Sequence, residues 1–109
     1  MSNSYCPILT IAGSDSSGGA GIQADIKSIS ANGGYAASVI TASTAQNTQS
    51  VTDIHPIPVE HIIMQMKAVF DDINISCVKI GMLHSPEVIK AVKETLAEYK
   101  MTKIVVDPV

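Results

Sequence analysis

Apolar residues fall along this chain in two alternating rhythms. Ile8-Leu9-Thr10-Ile11-Ala12 is a short, nearly continuous apolar run stopped by Gly13, which has the length and composition of a buried strand. Ile22, Ile26 and Ile29 then recur at i, i+4 and i+7, and Asn32-Gly33-Gly34 ends that helix with residues that tolerate positive φ. A second strand, 37–42, is centred on Val39-Ile40 and lacks polar alternation, as expected of a strand covered on both faces in a parallel sheet. From Pro58, a suitable first helical residue, Val59, Ile62, Ile63, Met66, Val69, Phe70 and Ile73 form one apolar stripe. Cys77-Val78-Lys79-Ile80 reads as a third strand closed by Gly81. Ser85-Pro86-Glu87 supplies the cap, first residue and first-turn acid of a helix with Ile89, Val92 and Leu96 inward, and 103–107 reads as a fourth strand. Between the second strand and Pro58 this leaves a loop of about 15 residues, longer than most connections in compact domains. Strands alternating with helices predict an α/β fold with a mainly parallel sheet.

The length of 109 residues allows one domain at most. Seven Lys and Arg against ten Asp and Glu give a net charge of -3 with no basic run, so nucleic acid is not an expected partner. The first five residues carry no positive charge, and the first apolar run is too short for a signal sequence or a membrane span. No membrane association is expected, and the chain reads as cytoplasmic. Cys6 and Cys77 lack the spacing of a zinc knuckle or a disulfide framework and read as reduced thiols. His55, His61 and His84 have no mutual spacing that suits a metal, so no metal ligand is assigned. His84 stands beside a helix start, at the rim of the sheet.

The densest chemical signal is 13–21, where Gly13, Gly18, Gly19 and Gly21 are interleaved with Ser14, Asp15, Ser16 and Ser17 between the first strand and first helix. Glycines there let a ligand approach the backbone and aim helix N-terminal N–H groups into a cleft. The phosphate-loop pattern GxxxxGK[ST] would need Lys at Gly19 and Ser or Thr at Ala20. Gly19-x-Gly21-x-x-Ala24 meets the looser dinucleotide pattern, but Thr41-Ala42-Ser43-Thr44 at the end of the second strand supplies no acid for a ribose. Asp25 lies on the first turns of the helix, where the dipole favours a carboxylate with or without a ligand. Ala45-Gln46-Asn47-Thr48-Gln49, Gly81-Met82-Leu83-His84 and Asp107 all follow strand ends, so every candidate polar group falls on one rim. A nucleophile elbow of the G-x-S-x-G type is absent.

The segment Thr10-Ile11-Ala12-Gly13-Ser14-Asp15-Ser16-Ser17-Gly18-Gly19-Ala20-Gly21-Ile22-Gln23-Ala24-Asp25-Ile26-Lys27 closely resembles the opening of the hydroxymethylpyrimidine/phosphomethylpyrimidine kinases of thiamine biosynthesis, members of the ribokinase-like superfamily. The resemblance continues through Val39-Ile40-Thr41-Ala42, Ala45-Gln46-Asn47-Thr48-Gln49, Lys79-Ile80-Gly81-Met82-Leu83 and Val105-Val106-Asp107-Pro108-Val109. It implies a three-layer α/β/α fold, of which residues 1–109 are the N-terminal part of a single kinase domain, about half of it. It implies ATP and Mg²⁺ as cofactors, a small pyrimidine as acceptor, and a homodimer. By resemblance Gly13, Asp25, Gln46 and Met82 line the pyrimidine site beside the glycine-rich loop of Gly18, Gly19 and Gly21, and Asp107 lies towards the cation and phosphate region. The ATP-holding segment, the anion hole and the catalytic residue are expected beyond Val109, so the chain alone is expected to be inactive. The similar opening of pyridoxal kinases leaves pyridoxal as an alternative acceptor, and a non-catalytic pyrimidine-binding module is the reading from a different class. Gln46 favours the pyrimidine, because one carboxamide can pair an exocyclic amine and a ring nitrogen together.

Overall fold

In the computed structural model, which describes residues 6–107, the elements run β1 (Pro7–Asp15), α1 (Gly21–Ala31), β2 (Tyr35–Gln46), β3 (Val51–Pro56), α2 (Val59–Asp72), β4 (Cys77–Ile80), α3 (Pro86–Glu98) and β5 (Ile104–Val106). The uncharged first five residues, and Pro108 and Val109 of the last matching block, lie outside the described residues. The five strands form one sheet in the order β3-β2-β1-β4-β5, with β2, β1, β4 and β5 parallel and β3 antiparallel to β2.

From β1 the chain crosses one way to β2, and from β4 it crosses the other way to β5. Right-handed crossovers therefore place α1 on one face of the sheet and α2 and α3 on the other. Strand alternation sorts the side chains accordingly. Leu9, Ile11, Val39, Val78 and Ile80 bury against Ile62 and Met66 of α2 and Val88, Val92 and Leu96 of α3. Thr10, on the opposite face of β1, hydrogen-bonds Asp25 of α1.

Several expectations change in detail. The loop expected before Pro58 is a β-hairpin: β2 runs on to Gln46, and β3 returns beside it, with Ala42 opposite Pro56 and Thr44 opposite Ile54. Every residue of β3 is exposed, so no burial pattern marked it in the sequence. Its local signal is Asn47, whose side-chain oxygen accepts from the N–H groups of Gln49 and Ser50 to close the turn. β1 likewise continues through Gly13 to Asp15 across a register shift between Ala12 and Ser14, so the turn starts later than the glycine suggested. Pro58 is the cap of α2 and not its first residue. In α3, Val88 is buried in place of Ile89, which is 39% exposed, and Ser85 caps the helix by accepting from the Val88 N–H. β5 is the edge strand of the described sheet, and its Ile104, Val105 and Val106 are exposed there.

Candidate functional site

β1 and β4 are neighbours whose outgoing connections leave in opposite directions, and open α/β sheets form their ligand crevice at such a switch point, outside the strand C-termini. A cavity of about 430 Å³ lies there. Gly13, Ser14, Asp15 and Gly21 contribute to it from the β1–α1 junction, Thr44 and Gln46 from β2, Met82 and His84 from the loop after β4, and Lys79 and Asp107 from the ends of β4 and β5.

Asp15 organises the glycine-rich loop. Its Oδ1 accepts from the Ser17 N–H at 2.8 Å and the Ser17 hydroxyl at 2.7 Å, and its Oδ2 accepts from the Gly19 N–H at 3.0 Å. The Ser17 hydroxyl is the main influence holding this carboxyl below the usual carboxylate value; burial opposes it, and N–H groups of Ser17, Ala20 and Gly19 add to it. Gln23, in the first turn of α1, accepts from the Asp15 N–H and donates to the Ser14 hydroxyl, so the carboxamide ties the helix to the last residues of β1. Gly18 and Gly21 have positive φ, +82° and +58°, whereas Gly19 does not.

Gln46 is held at its backbone by Ser16. The serine hydroxyl donates to the Gln46 carbonyl at 2.5 Å and accepts from the Gln46 N–H at 2.6 Å. The Thr44 hydroxyl lies 2.6 Å from the Ser14 carbonyl and 3.1 Å from Oε1 of Gln46.

Lys79 joins two carboxylates. Its Nζ is 3.1 Å from both oxygens of Asp25 and 3.4 Å from Oδ2 of Asp107, and the Thr10 hydroxyl donates to Asp25 Oδ2 at 2.6 Å. The network runs from α1 through β1 and β4 to the end of β5, and Lys79 carries it to the cavity.

Residues 15–109 match the family described as phosphomethylpyrimidine kinase. The chain belongs to that family. It is 53% identical over 102 residues to the hydroxymethylpyrimidine/phosphomethylpyrimidine kinase of Haemophilus influenzae, a match covering 94% of this chain and 38% of that protein. Among solved structures it resembles phosphomethylpyrimidine kinase from Clostridium difficile 630, with a TM-score of 0.92 and 56% identity over 95% of this chain and 45% of that one. It also resembles the pyridoxal kinase of Staphylococcus aureus in complex with pyridoxal, with a TM-score of 0.85 and 34% identity over 96% of this chain and 39% of that one. The chain thus spans less than half the length of each of these proteins. The fold is the ribokinase-like α/β fold of these kinases.

The cavity gathers Gly13, Gln46, Met82 and Asp107 from the residues singled out in the sequence, with Gly21 of the glycine-rich loop. Asp25 is placed differently. It lies past the first helical turn and borders a separate hollow with Ile8, Cys77, Lys79 and Val105, because Thr10 and Lys79 draw its carboxylate onto the strand face. Asp15 and Ser16 entered the sequence reading only as members of the glycine-rich segment, and Thr44 and Lys79 were not singled out as site residues. For Lys79 a signal was present: a cation inside an apolar four-residue strand calls for buried counter-charges.

Proposed function

We propose that this chain forms the acceptor-binding part of an ATP-dependent kinase that phosphorylates 4-amino-5-hydroxymethyl-2-methylpyrimidine and its monophosphate in thiamine biosynthesis. The observation that carries the reading is the placement of the Gln46 carboxamide, with the glycine-rich β1–α1 backbone, on one switch-point cavity. A cavity of about 430 Å³ is in the range of small-molecule sites. A 2-methyl-4-aminopyrimidine presents an amine donor beside a ring-nitrogen acceptor, the pair that a carboxamide answers. Gly13, Gln46 and Met82 are the pyrimidine-lining residues in this reading, and Asp25 acts behind them through Lys79.

In the transfer, the acceptor hydroxymethyl oxygen forms a bond to the γ-phosphorus of ATP while the bond from that phosphorus to the ADP oxygen breaks, and the hydroxyl proton leaves. Phosphoryl transfer of this kind depends mainly on positioning and charge stabilisation. Mg²⁺ is held through one or two carboxylates together with substrate phosphates. Asp107 fits that requirement: it borders the cavity with Lys79 near its Oδ2, whereas both oxygens of Asp15 are engaged by the glycine-rich loop. When bound, the metal would neutralise phosphate charge near Asp107. The reading extends to a soluble, cytoplasmic homodimer whose partners are ATP and the pyrimidine; no helix among the described residues is long and apolar enough to cross a membrane.

Pyridoxal is the second acceptor to weigh, given the 34% identity to a kinase solved with pyridoxal; the 53% and 56% identities to the pyrimidine kinases favour the pyrimidine. The deciding experiment is ADP release by the full-length protein with ATP and either acceptor. Preferential turnover of the hydroxymethylpyrimidine is expected. Preferential turnover of pyridoxal would overturn the substrate assignment, and pyrimidine binding without turnover would favour the non-catalytic module.

A further inference from the structure

A carboxamide has two ends of nearly equal size and opposite hydrogen-bonding sense, so Gln46 can read a ligand only if its neighbours decide which end faces which group. Ser16 fixes where the residue sits. Its hydroxyl satisfies both the N–H and the carbonyl of Gln46 just past the last parallel pair of β1 with β2, Asp15 opposite Thr44. Thr44 lies two residues before Gln46 on the same strand, and therefore on the same face. Its Oγ1 is 3.1 Å from Gln46 Oε1 and 2.6 Å from the Ser14 carbonyl oxygen.

A threonine hydroxyl has one hydrogen to give and here faces two acceptors. The shorter contact is to a carbonyl, which can only accept, so the hydrogen lies on the 2.6 Å bond to Ser14 and Oγ1 turns a lone pair to the carboxamide. The amide sense that satisfies this lone pair presents its Nε2 end to Oγ1, and the carboxamide cannot flip without the hydroxyl giving up the Ser14 carbonyl. In that sense Oε1 keeps both lone pairs for an amine, and the second Nε2 hydrogen remains for a ring nitrogen.

We infer that Thr44 is the positioning residue that sets the sense of the Gln46 carboxamide, and so helps choose an acceptor whose amine stands beside a ring nitrogen. This rests on the pyrimidine reading above.

The test is calorimetric titration of the full-length protein with hydroxymethylpyrimidine and with pyridoxal, for Thr44→Val, which keeps the shape and loses the hydroxyl, and Thr44→Ser, which keeps the hydroxyl. Each is made with Gln46 present and with Gln46→Met. Thr44→Val is expected to weaken pyrimidine binding roughly tenfold, Thr44→Ser to restore it to within about twofold, and Thr44→Val to add nothing once Gln46 is Met. Should Thr44→Val fail to fold, Thr44→Ala serves as the hydroxyl-free variant. An equal loss in both Gln46 backgrounds would show that Thr44 acts through the Ser14 carbonyl alone and overturn the inference, as would unchanged affinity in the hydroxyl-free variant. A parent protein that does not bind the pyrimidine would instead overturn the functional reading, and this assignment with it.

Discussion

Gly21 and Gly13 approach so closely that a Cβ on the first would overlap the carbonyl oxygen of the second. The contact is backbone to backbone: Ser14 and Gly21 form an isolated antiparallel bridge that folds the start of α1 against the end of β1. The wall of the cavity depends on that closure.

Gly18, Gly19 and Gly21 should therefore respond unequally to substitution. Gly21→Ala meets both a positive φ and the Gly13 carbonyl, and the φ alone costs about 1–2 kcal/mol. Gly18→Ala meets the positive φ and a movable Lys27 side chain. Gly19→Ala meets neither, since its nearest neighbour is Asp15 Oδ2 at 3.8 Å. Denaturant unfolding should rank Gly21→Ala as the most destabilising and Gly19→Ala as close to the parent protein. A Gly19 variant as damaging as the Gly21 variant would contradict this geometry.

The glycine count in 13–21 made the loop legible in sequence, but not which glycine is obligatory, because that depends on how β1 and α1 meet. The parallel strands and the three helices were legible for a similar reason: residues such as Ile62, Met66, Val92 and Leu96 enter one core at helical spacing. β3 escaped because a fully exposed strand leaves no hydrophobic period to read. At the site, Gln46 and Asp107 were legible as polar residues at strand ends, whereas Ser16 and Thr44 gain their meaning only from partners up to 30 positions away.

Lys79 should contribute more than a surface ion pair. Its side chain is 25% exposed and that of Asp25 17%, enough burial to lift the pair above the surface range and short of full desolvation. Lys79→Met leaves the Asp25 carboxylate with only the Thr10 hydroxyl and should destabilise the full-length protein by about 1–3 kcal/mol. Combining it with Asp25→Asn should recover part of that loss. Urea unfolding of the single and double variants is the measurement, and additive losses would contradict the coupling.

A pH response separates the α2–α3 contact from the site. The Tyr99 hydroxyl donates to Asp71 Oδ1 at 2.7 Å, and its ring stacks on Phe70 with centroids 4.9 Å apart. The hydrogen bond to Asp71, then burial, then the charges of Asp71 and Glu98 push the Tyr99 hydroxyl up to about 12 from its ordinary 10.0. A folded value above the unfolded one means that the unfolded chain loses this proton first as pH rises. The contribution is thus complete below pH 10.0 and is lost between there and about 12. Tyr99→Phe should abolish this part of the alkaline loss while keeping the stack. Thermal melts of both proteins from pH 8 upward would reveal it, and parallel alkaline curves would remove the Asp71 bond from the account.

Gln46→Met tests the substrate reading most directly. Methionine is close to glutamine in length, fits a half-buried position, and removes both the donor and the acceptor. An acceptor that pairs with the carboxamide is then left with an unanswered amine and ring nitrogen, a loss of roughly 1–3 kcal/mol or about tenfold to hundredfold in affinity. Pyridoxal has no exocyclic amine beside its ring nitrogen and should lose less. The Ser16 bonds go to the backbone of residue 46 and survive the substitution, so the loop need not rearrange. Titration of the full-length parent and Gln46→Met with both ligands should therefore show a larger loss for hydroxymethylpyrimidine than for pyridoxal. Equal losses would mean that residue 46 shapes the cavity without reading the amine, and the choice between the two acceptors would then fall to the residues that line the other walls.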